Sequence, residues 1–315
     1  MRQCRPREGM IPEWKAAAPS RKVRLRKLTG LSAVGDSDDS PDSDRTPPLS
    51  SLREVARSIY GADATGYAAG RPDYPEQLYR LLGQRCGLRT GSMALEIGAG
   101  TGLVTRRLVA DGAQVMAVEP DEGMAAHLRG SVGGHLDLVV DTFERASLPE
   151  SHFDLAVAAT SFHWVDQAVG VPKLGRLLRP GGWAAVWWTI FDDPEAQDPF
   201  RDALAHRWGR PDPGGQRNVG FQLDSAARCH DLRHRGGLDR VSCDKIRWTC
   251  ELTAEQLSAL YGSMISVRRL PGDEHQELLR AIAELADRDF GGTVSRPFVT
   301  VLYTGRRPPR GRSEP

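Results

Sequence analysis

The 315-residue chain has no apolar run long enough to cross a bilayer: its longest, residues 181–191, falls well short of the ~20 residues a spanning helix needs. It has no excess of either charge, with 42 Lys and Arg against 41 Asp and Glu. A dedicated nucleic-acid surface is therefore not expected, although a local basic patch stays open. It has no CxxC pair. The five cysteines, Cys4, Cys86, Cys229, Cys243 and Cys250, are odd in number and scattered, which points away from a zinc site or a disulfide framework. Reduced thiols in a cytoplasmic protein are the simpler expectation, and no metal site is predicted. What is present, 40% hydrophobic and 26% charged residues, is the balance of an ordinary globular chain with room for one large α/β domain or two small ones. Arginine outnumbers lysine and alanine and glycine abound, a hint of a GC-rich bacterial genome and of nothing chemical.

The ends read differently from the middle. Residues 1–50 open with basic residues, continue through Asp36, Asp38, Asp39, Asp42 and Asp44, and close at Pro47-Pro48. So little apolar surface cannot offset an ordering entropy of ~1–2 kcal/mol per residue, so a disordered leader is expected. No secretory h-region is present, and Glu8 and Glu13 count against a transit peptide. Residues 306–315 read as a flexible basic tail. The domain is expected over 51–305.

Within it, strand-like and helix-like segments alternate. Strands are expected at Met93–Ile97, Gln114–Val118, Leu136–Val140, Phe153–Ala159 and Trp183–Trp188. Helices are expected at Thr101–Ala110, at Asp121–Arg129, and through Val171, Leu174 and Leu178, stopping at Pro180-Gly181-Gly182. Regular βαβ alternation predicts a parallel sheet covered by helices on both faces. Further on, helices are predicted over Pro199–Trp208, from Thr253 to about Ile265 and from Gly272 to about Asp289, and Phe298–Tyr303 reads as an antiparallel last strand.

The most informative stretch is Leu95-Glu96-Ile97-Gly98-Ala99-Gly100-Thr101-Gly102, between the first strand and its helix. Glycines there let a ligand approach the backbone without meeting a Cβ. Glu119, closing the second strand, can accept hydrogen bonds from both hydroxyls of a ribose. A dinucleotide fingerprint would place its third glycine where Leu103 stands. The spacing is instead GxGxG, and an anionic Glu96 two residues before it would repel a pyrophosphate while suiting a ligand with an ammonium group. A sulfonium compound with an amino-acid end, a ribose and an adenine meets these requirements.

Glu96–Gly102, Glu119-Pro120 and Leu178-Arg179-Pro180-Gly181-Gly182 resemble the class I S-adenosylmethionine-dependent methyltransferases. Gly70-Arg71-Pro72-Asp73-Tyr74-Pro75 and Phe162-His163-Trp164-Val165-Asp166 extend the likeness to the small-molecule branch, which includes trans-aconitate methyltransferase-like and ubiquinone/menaquinone-biosynthesis-like enzymes. The likeness covers roughly 55–305. It implies a Rossmann-like, seven-stranded, mostly parallel sheet with helices on both faces and an antiparallel last strand, and S-adenosyl-L-methionine as cofactor. It implies further that Glu96, Gly98 and Gly100, with Ala99 and Gly102 in the same loop, line the methionine half, and that Glu119, beside Pro120, holds the ribose. The adenine contact falls on Asp141 or Thr142, and Phe143 is either a wall against the ring or core. Thr160, with Ser161 and Phe162, would lie beside the sulfonium. Tyr67 and Arg71 belong to a segment that closes over the cofactor, where Arg71 either meets its carboxylate or ties the segment down by a salt bridge.

Methyl transfer is an in-line displacement in which alignment does most of the work. An acceptor that is weakly ionised at neutral pH also needs a base. His163, of unperturbed pKa ~6.5, is the candidate base with Asp166 orienting it, or else a hydrogen-bonded structural residue. Residues 192–295 should supply substrate-cover insertions, where Arg201, His206, Arg207 and Arg210 face either an anionic substrate or solvent. The expectation is a methyltransferase acting on a small-molecule acceptor, as a cytoplasmic monomer or homodimer without a nucleic-acid partner. The alternatives are an enzyme of the same fold acting on RNA or protein, and a nicotinamide-dependent oxidoreductase.

Overall fold

The computed structural model describes residues 59–133, 136–208 and 220–309. The expected leader, Arg210 and the last six residues lie outside them. The strands are β1 (Met93–Ile97), β2 (Gln114–Val118), β3 (Leu136–Val139), β4 (Phe153–Ala159), β5 (Leu178–Ile190), β6 (Asp239–Thr253) and β7 (Thr293–Arg306). They form one seven-stranded sheet in the order β3-β2-β1-β4-β5-β7-β6. β1 to β5 are mutually parallel, and β7 runs antiparallel to both β5 and β6. The fold class read from the sequence is the one observed.

The helices are α1 (Ala64–Gly70), α2 (Glu76–Gln84), α3 (Leu103–Ala110), α4 (Glu122–Ser131), α5 (Gln167–Leu177), α6 (Pro199–Trp208), α7 (Gly220–Leu223), α8 (Ser225–His230), α9 (Ala254–Gly262), α10 (Ile265–Arg268) and α11 (Gly272–Asp289). None is long and apolar enough to cross a membrane, among the described residues.

Period-two alternation sends side chains to both faces of the sheet. From β4 and β5, Ala156, Ala158, Ala184, Val186 and Trp188 join one core with Val171, Leu174 and Leu177 of α5. Leu155, Val157, Ala185 and Trp187 join the other, with Leu78 and Leu82 of α2 and Val104 and Leu108 of α3. Each fully buried Leu contributes ~1.5–3 kcal/mol, so both helical layers are held to the sheet by the same few positions per turn.

Two features of the sheet depart from the sequence reading. The helix before β5 ends at Leu177, and Leu178 already pairs with Phe153, while Leu155 pairs with Trp183. Five residues on β5 thus match two on β4, and the surplus bulges out at Pro180-Gly181-Gly182. Gly181 has φ +84°, and a Cβ on Gly182 would lie 2.7 Å from the Phe153 carbonyl oxygen, so glycines are required there. The tail expected from Arg306 begins later, because Arg306 pairs with Trp183 inside the sheet and the Arg307 amide donates to the Gly182 carbonyl.

A third core stands beyond the carboxyl end of β5. Phe200 and Leu204 of α6, Leu257, Leu260 and Tyr261 of α9, and Leu278, Ile282 and Leu285 of α11 close around Phe298 of β7. At its centre the Arg296 guanidinium and Asp198 carboxylate, 2% and 0% exposed, pair at 2.7 Å. Arg296 also donates to the Tyr261 hydroxyl and the Phe191 carbonyl, and Asp198 accepts from the Arg201 amide at the start of α6. The helix expected from Thr253 to about Ile265 divides into α9 and α10. Thr253 starts it through a capping box with Gln256, and extended Met264 breaks it.

Candidate active site

A cavity of about 680 Å³ opens at the carboxyl ends of β1, β2, β4 and β5. That is where strand order reverses, between β1 and β4, and where open α/β sheets hold ligands. The glycine loop forms one end. Gly98 has φ +69° and a Cβ there would stand 2.6 Å from Cβ of Ser161, so only glycine lets β1 and β4 finish side by side. Gly100, at φ +56°, has nothing within 4 Å of a would-be Cβ and opens its backbone toward the cavity. Gly102 lies outside the cavity wall; it precedes α3, packed against Leu128.

Two buried acids flank the loop. Glu119 accepts from the amides of Gly100 at 2.7 Å and Asp121 at 3.0 Å, one per carboxylate oxygen. Glu96, 1% exposed, accepts from the Thr105 hydroxyl at 2.6 Å. Burial pushes its carboxyl up to about 8, against the Thr105 hydrogen bond and reinforced by the charge of Glu119. Glu96 therefore holds a proton at neutral pH until a cation approaches it.

At the end of β4, Thr160 adopts φ +53°, costly for a β-branched residue. The strain is held in place by the Thr160 amide donating to the Trp187 carbonyl at 2.7 Å and by a 3.1 Å hydrogen bond between the hydroxyls of Thr160 and Tyr74. Burial pushes the Tyr74 hydroxyl well above the usual phenol range, so it stays neutral. His163 stands on the short turn that follows. Its Nδ1 accepts the Trp188 indole N–H at 3.0 Å, and its ring lies 4.7 Å from that of Trp164.

Most of the predicted residues come together. Tyr67, Arg71, Glu96, Gly98, Ala99, Gly100, Glu119, Pro120, Thr142, Phe143, Thr160 and His163 all line the cavity. Gly102, Asp141 and Asp166 do not. Asp141 accepts from the Thr142 amide at 2.7 Å and pairs with Arg145, which leaves Thr142 as the residue presented to a ligand. Asp166 caps α5, accepting from the Ala168 amide at 2.8 Å, while its own amide donates to Glu144. The Trp188 indole N–H holds Nδ1 of His163. Phe143 is 3% exposed, with the Lys173 ammonium 5.1 Å from its ring centre, and serves core and cavity wall together.

A cover was expected from the sequence, but no cavity-lining role was read for Tyr60, Trp164, Trp188, Phe191 and Met264, which also line the cavity. Tyr74 stood within a recognised motif without a role. Arg71 makes no ion pair among the described residues. Its guanidinium lies 4.8 Å from the Tyr67 ring centre and 5.0 Å from that of Phe191, and it donates to the Ser263 carbonyl at 3.1 Å. Among the described residues no cluster of His, Cys, Asp and Glu could hold a metal ion. Arg201 and Arg207 pair with Asp192 and Glu284, away from the cavity wall.

Residues 95–186 match a family described as a methyltransferase domain. An uncharacterized methyltransferase of Mycobacterium tuberculosis is 35% identical over 143 residues, 45% of this chain and 56% of that protein, so the match spans little more than half of the relative's length. An uncharacterized methyltransferase of Schizosaccharomyces pombe is 24% identical over 255 residues, 79% of this chain and 97% of that protein. Among solved structures, one assigned as a type II methyltransferase from Anaeromyxobacter dehalogenans superposes with a TM-score of 0.53 at 23% identity, covering 76% of this chain and 99% of its own, a likeness of fold.

Proposed function

We propose that this chain, whose residues 95–186 match a methyltransferase domain, is a class I methyltransferase that transfers a methyl group from S-adenosylmethionine to a small-molecule acceptor. The observation that carries the reading is the left-handed glycine loop between two buried acids, Glu96 and Glu119, at the sheet's switch point. When bound, the cofactor supplies a methyl group on a sulfonium whose departure leaves a neutral thioether.

The chain's residues then have definable tasks. Glu119, already accepting two N–H groups, is oriented to take ribose hydroxyls. Glu96 answers the ammonium end once it yields its proton. Thr142 and Phe143 face the adenine, and Thr160, fixed by Tyr74, borders the transfer line. α1 and α10, with Met264 before α10, roof the cavity and exclude water, so that proximity and orientation supply up to ~7–11 kcal/mol of barrier lowering. The indole N–H of Trp188 can only donate, so Nδ1 of His163 accepts and the neutral ring carries its proton on Nε2. His163 in that tautomer donates a hydrogen bond to the acceptor rather than removing a proton from it.

A cavity of about 680 Å³ suits a nucleoside cofactor with a compact acceptor. The thiols of Cys86 and Cys229 are buried, and burial pushes Cys86 up to about 12, so it stays protonated. Calorimetric titration with S-adenosylmethionine and with NAD is the test. Saturable heat with the first and none with the second is expected; the reverse would overturn the reading.

A further inference from the structure

We infer that Arg71 reads the methyl acceptor rather than the cofactor, and that the acceptor is a monocarboxylate with a flat, apolar body. This rests on the methyl-transfer reading above.

The first support is position. Phe191, against which the Arg71 guanidinium lies, directly follows β5, and Ser263, which receives one of its hydrogens, precedes α10 in the cover. β5 stands two strands from β1 in the sheet, about 10 Å at the usual strand spacing.

The second support is an unmet demand. The Arg71 Nε is buried without a hydrogen-bond partner, and no carboxylate of the described residues pairs with the guanidinium. A guanidinium keeps its charge at any physiological pH, so a buried edge of this kind calls for an anion from outside the chain. The guanidinium lines the cavity, and its two terminal nitrogens make an end-on fork that matches a carboxylate, whose charge also answers the buried Nε.

The third support is the distribution of charge and apolar surface. The cavity's acids, Glu96, Glu119, Asp121 and Glu144, all come from the ends of β1, β2 and β3. Its other cation, Arg106, is engaged at the loop end by the Thr101 carbonyl. Around Arg71 the wall therefore offers one positive charge and no acid, between the rings of Tyr67 and Phe191. One guanidinium balances a carboxylate; a phosphate dianion would be left undercompensated. The aromatic walls favour a planar apolar body over a sugar or a polyacid.

The test uses the full chain and two titrations. Calorimetry with S-adenosylhomocysteine compares wild type with Arg71→Gln and Arg71→Lys. The protein saturated with S-adenosylhomocysteine is then titrated with benzoate, phenylacetate and cinnamate, and with the amide of each. The expected result is cofactor-product affinity unchanged within about threefold in both variants. At least one acid should bind wild type about ten- to a hundredfold more tightly than its amide. That preference should vanish in Arg71→Gln and be only partly restored in Arg71→Lys, which lacks the fork. A loss of tenfold or more in cofactor-product affinity would assign Arg71 to the cofactor and overturn the proposal. So would three acids that bind wild type no better than their amides, a comparison that stands even where Arg71→Gln fails to fold. Failure of wild type to bind S-adenosylhomocysteine at all would sink the methyl-transfer reading instead, and would be recognised as such.

Discussion

The two ends of the cavity are built by opposite means. At the glycine loop the walls are backbone: left-handed glycines, amides pointing at carboxylates, and strand ends brought within a Cβ's width of each other. At the cover end the walls are side chains, aromatic rings and one guanidinium, from α1, the turn after β4 and the end of β5, and Phe191 there joins a separate core built around a buried ion pair. The first end lies inside the stretch that matches a known family, and the helices of the second lie outside it. Where backbone meets ligand, few sequences satisfy the geometry; where side chains pack against side chains, many do.

If the ends are this different, they should break differently. The largest effect is expected at the cover. Asp198→Ala leaves the Arg296 charge buried without its partner and should cost about 3–5 kcal/mol of stability, read from urea denaturation. Cofactor affinity of the protein still folded should be nearly unchanged. A loss under 1 kcal/mol would mean that the pair is hydrated and the third core is looser than its burial indicates.

The converse lesion is Gly98→Ala. A Cβ 2.6 Å from Ser161, on a residue at φ +69°, forces the loop away from β4. S-adenosylmethionine affinity should fall about ten- to a hundredfold for a strain of ~1–2 kcal/mol plus the displaced backbone, with a smaller stability loss than Asp198→Ala. Calorimetry would show it, and an undiminished affinity would remove the loop from the binding account.

The third expectation concerns protons. Glu96, raised to about 8, is neutral in the free protein at pH 7 and must ionise to meet an ammonium group. Cofactor affinity should therefore climb as pH rises from 6 to 8, by at most about tenfold per unit, and Glu96→Gln should flatten the profile. The stability effect has the opposite sign. The folded carboxyl binds its proton more tightly than the unfolded one, whose ordinary value is 4.5, so its contribution falls as pH rises between about 4.5 and about 8. Urea curves at both limits for wild type and Glu96→Gln check this, and identical pH dependence in the two would refute it.

The smallest effect is expected at Thr160. Thr160→Gly relieves a left-handed β-branched residue but frees the unfolded chain and removes the Tyr74 hydrogen bond, so stability should change by no more than ~1 kcal/mol while turnover drops severalfold, because Tyr74 loses its hydroxyl partner. Equal turnover would reduce the strained turn to an accident of the fold.

The same contrast explains what could be read beforehand. β1, β2 and β4 were placed to the residue because buried parallel strands are short apolar runs bounded by turn signals. Helices α6 and α11 were legible from their apolar spacing, as in Leu278, Ile282 and Leu285 of α11. The start of β5 was misjudged because a proline-glycine-glycine run reads as a stop, whereas here it is a bulge within a strand. Glu96 and Glu119 were legible because an acid at the end of a buried strand is a conspicuous expense. Asp166 follows His163 closely in sequence yet spends its carboxylate capping α5, while a partner of His163, Trp188, is distant in sequence and adjacent through the pairing of β4 with β5. Arg71 was seen, but its surroundings were not, since Phe191 and Ser263 reach it from segments 120 and 192 residues away.

β7 ties these regions into one object. It enters as the wall of the third core, where Arg296 is locked to Asp198, and leaves at Arg306, zipped to the start of β5. A single uninterrupted ribbon is thus the spine of both the roof and the floor, and neither can be peeled off while the other stands. Melting should register as one sigmoid by every probe, and an engineer seeking to graft a foreign roof onto this floor would have to carry the last strand along with it.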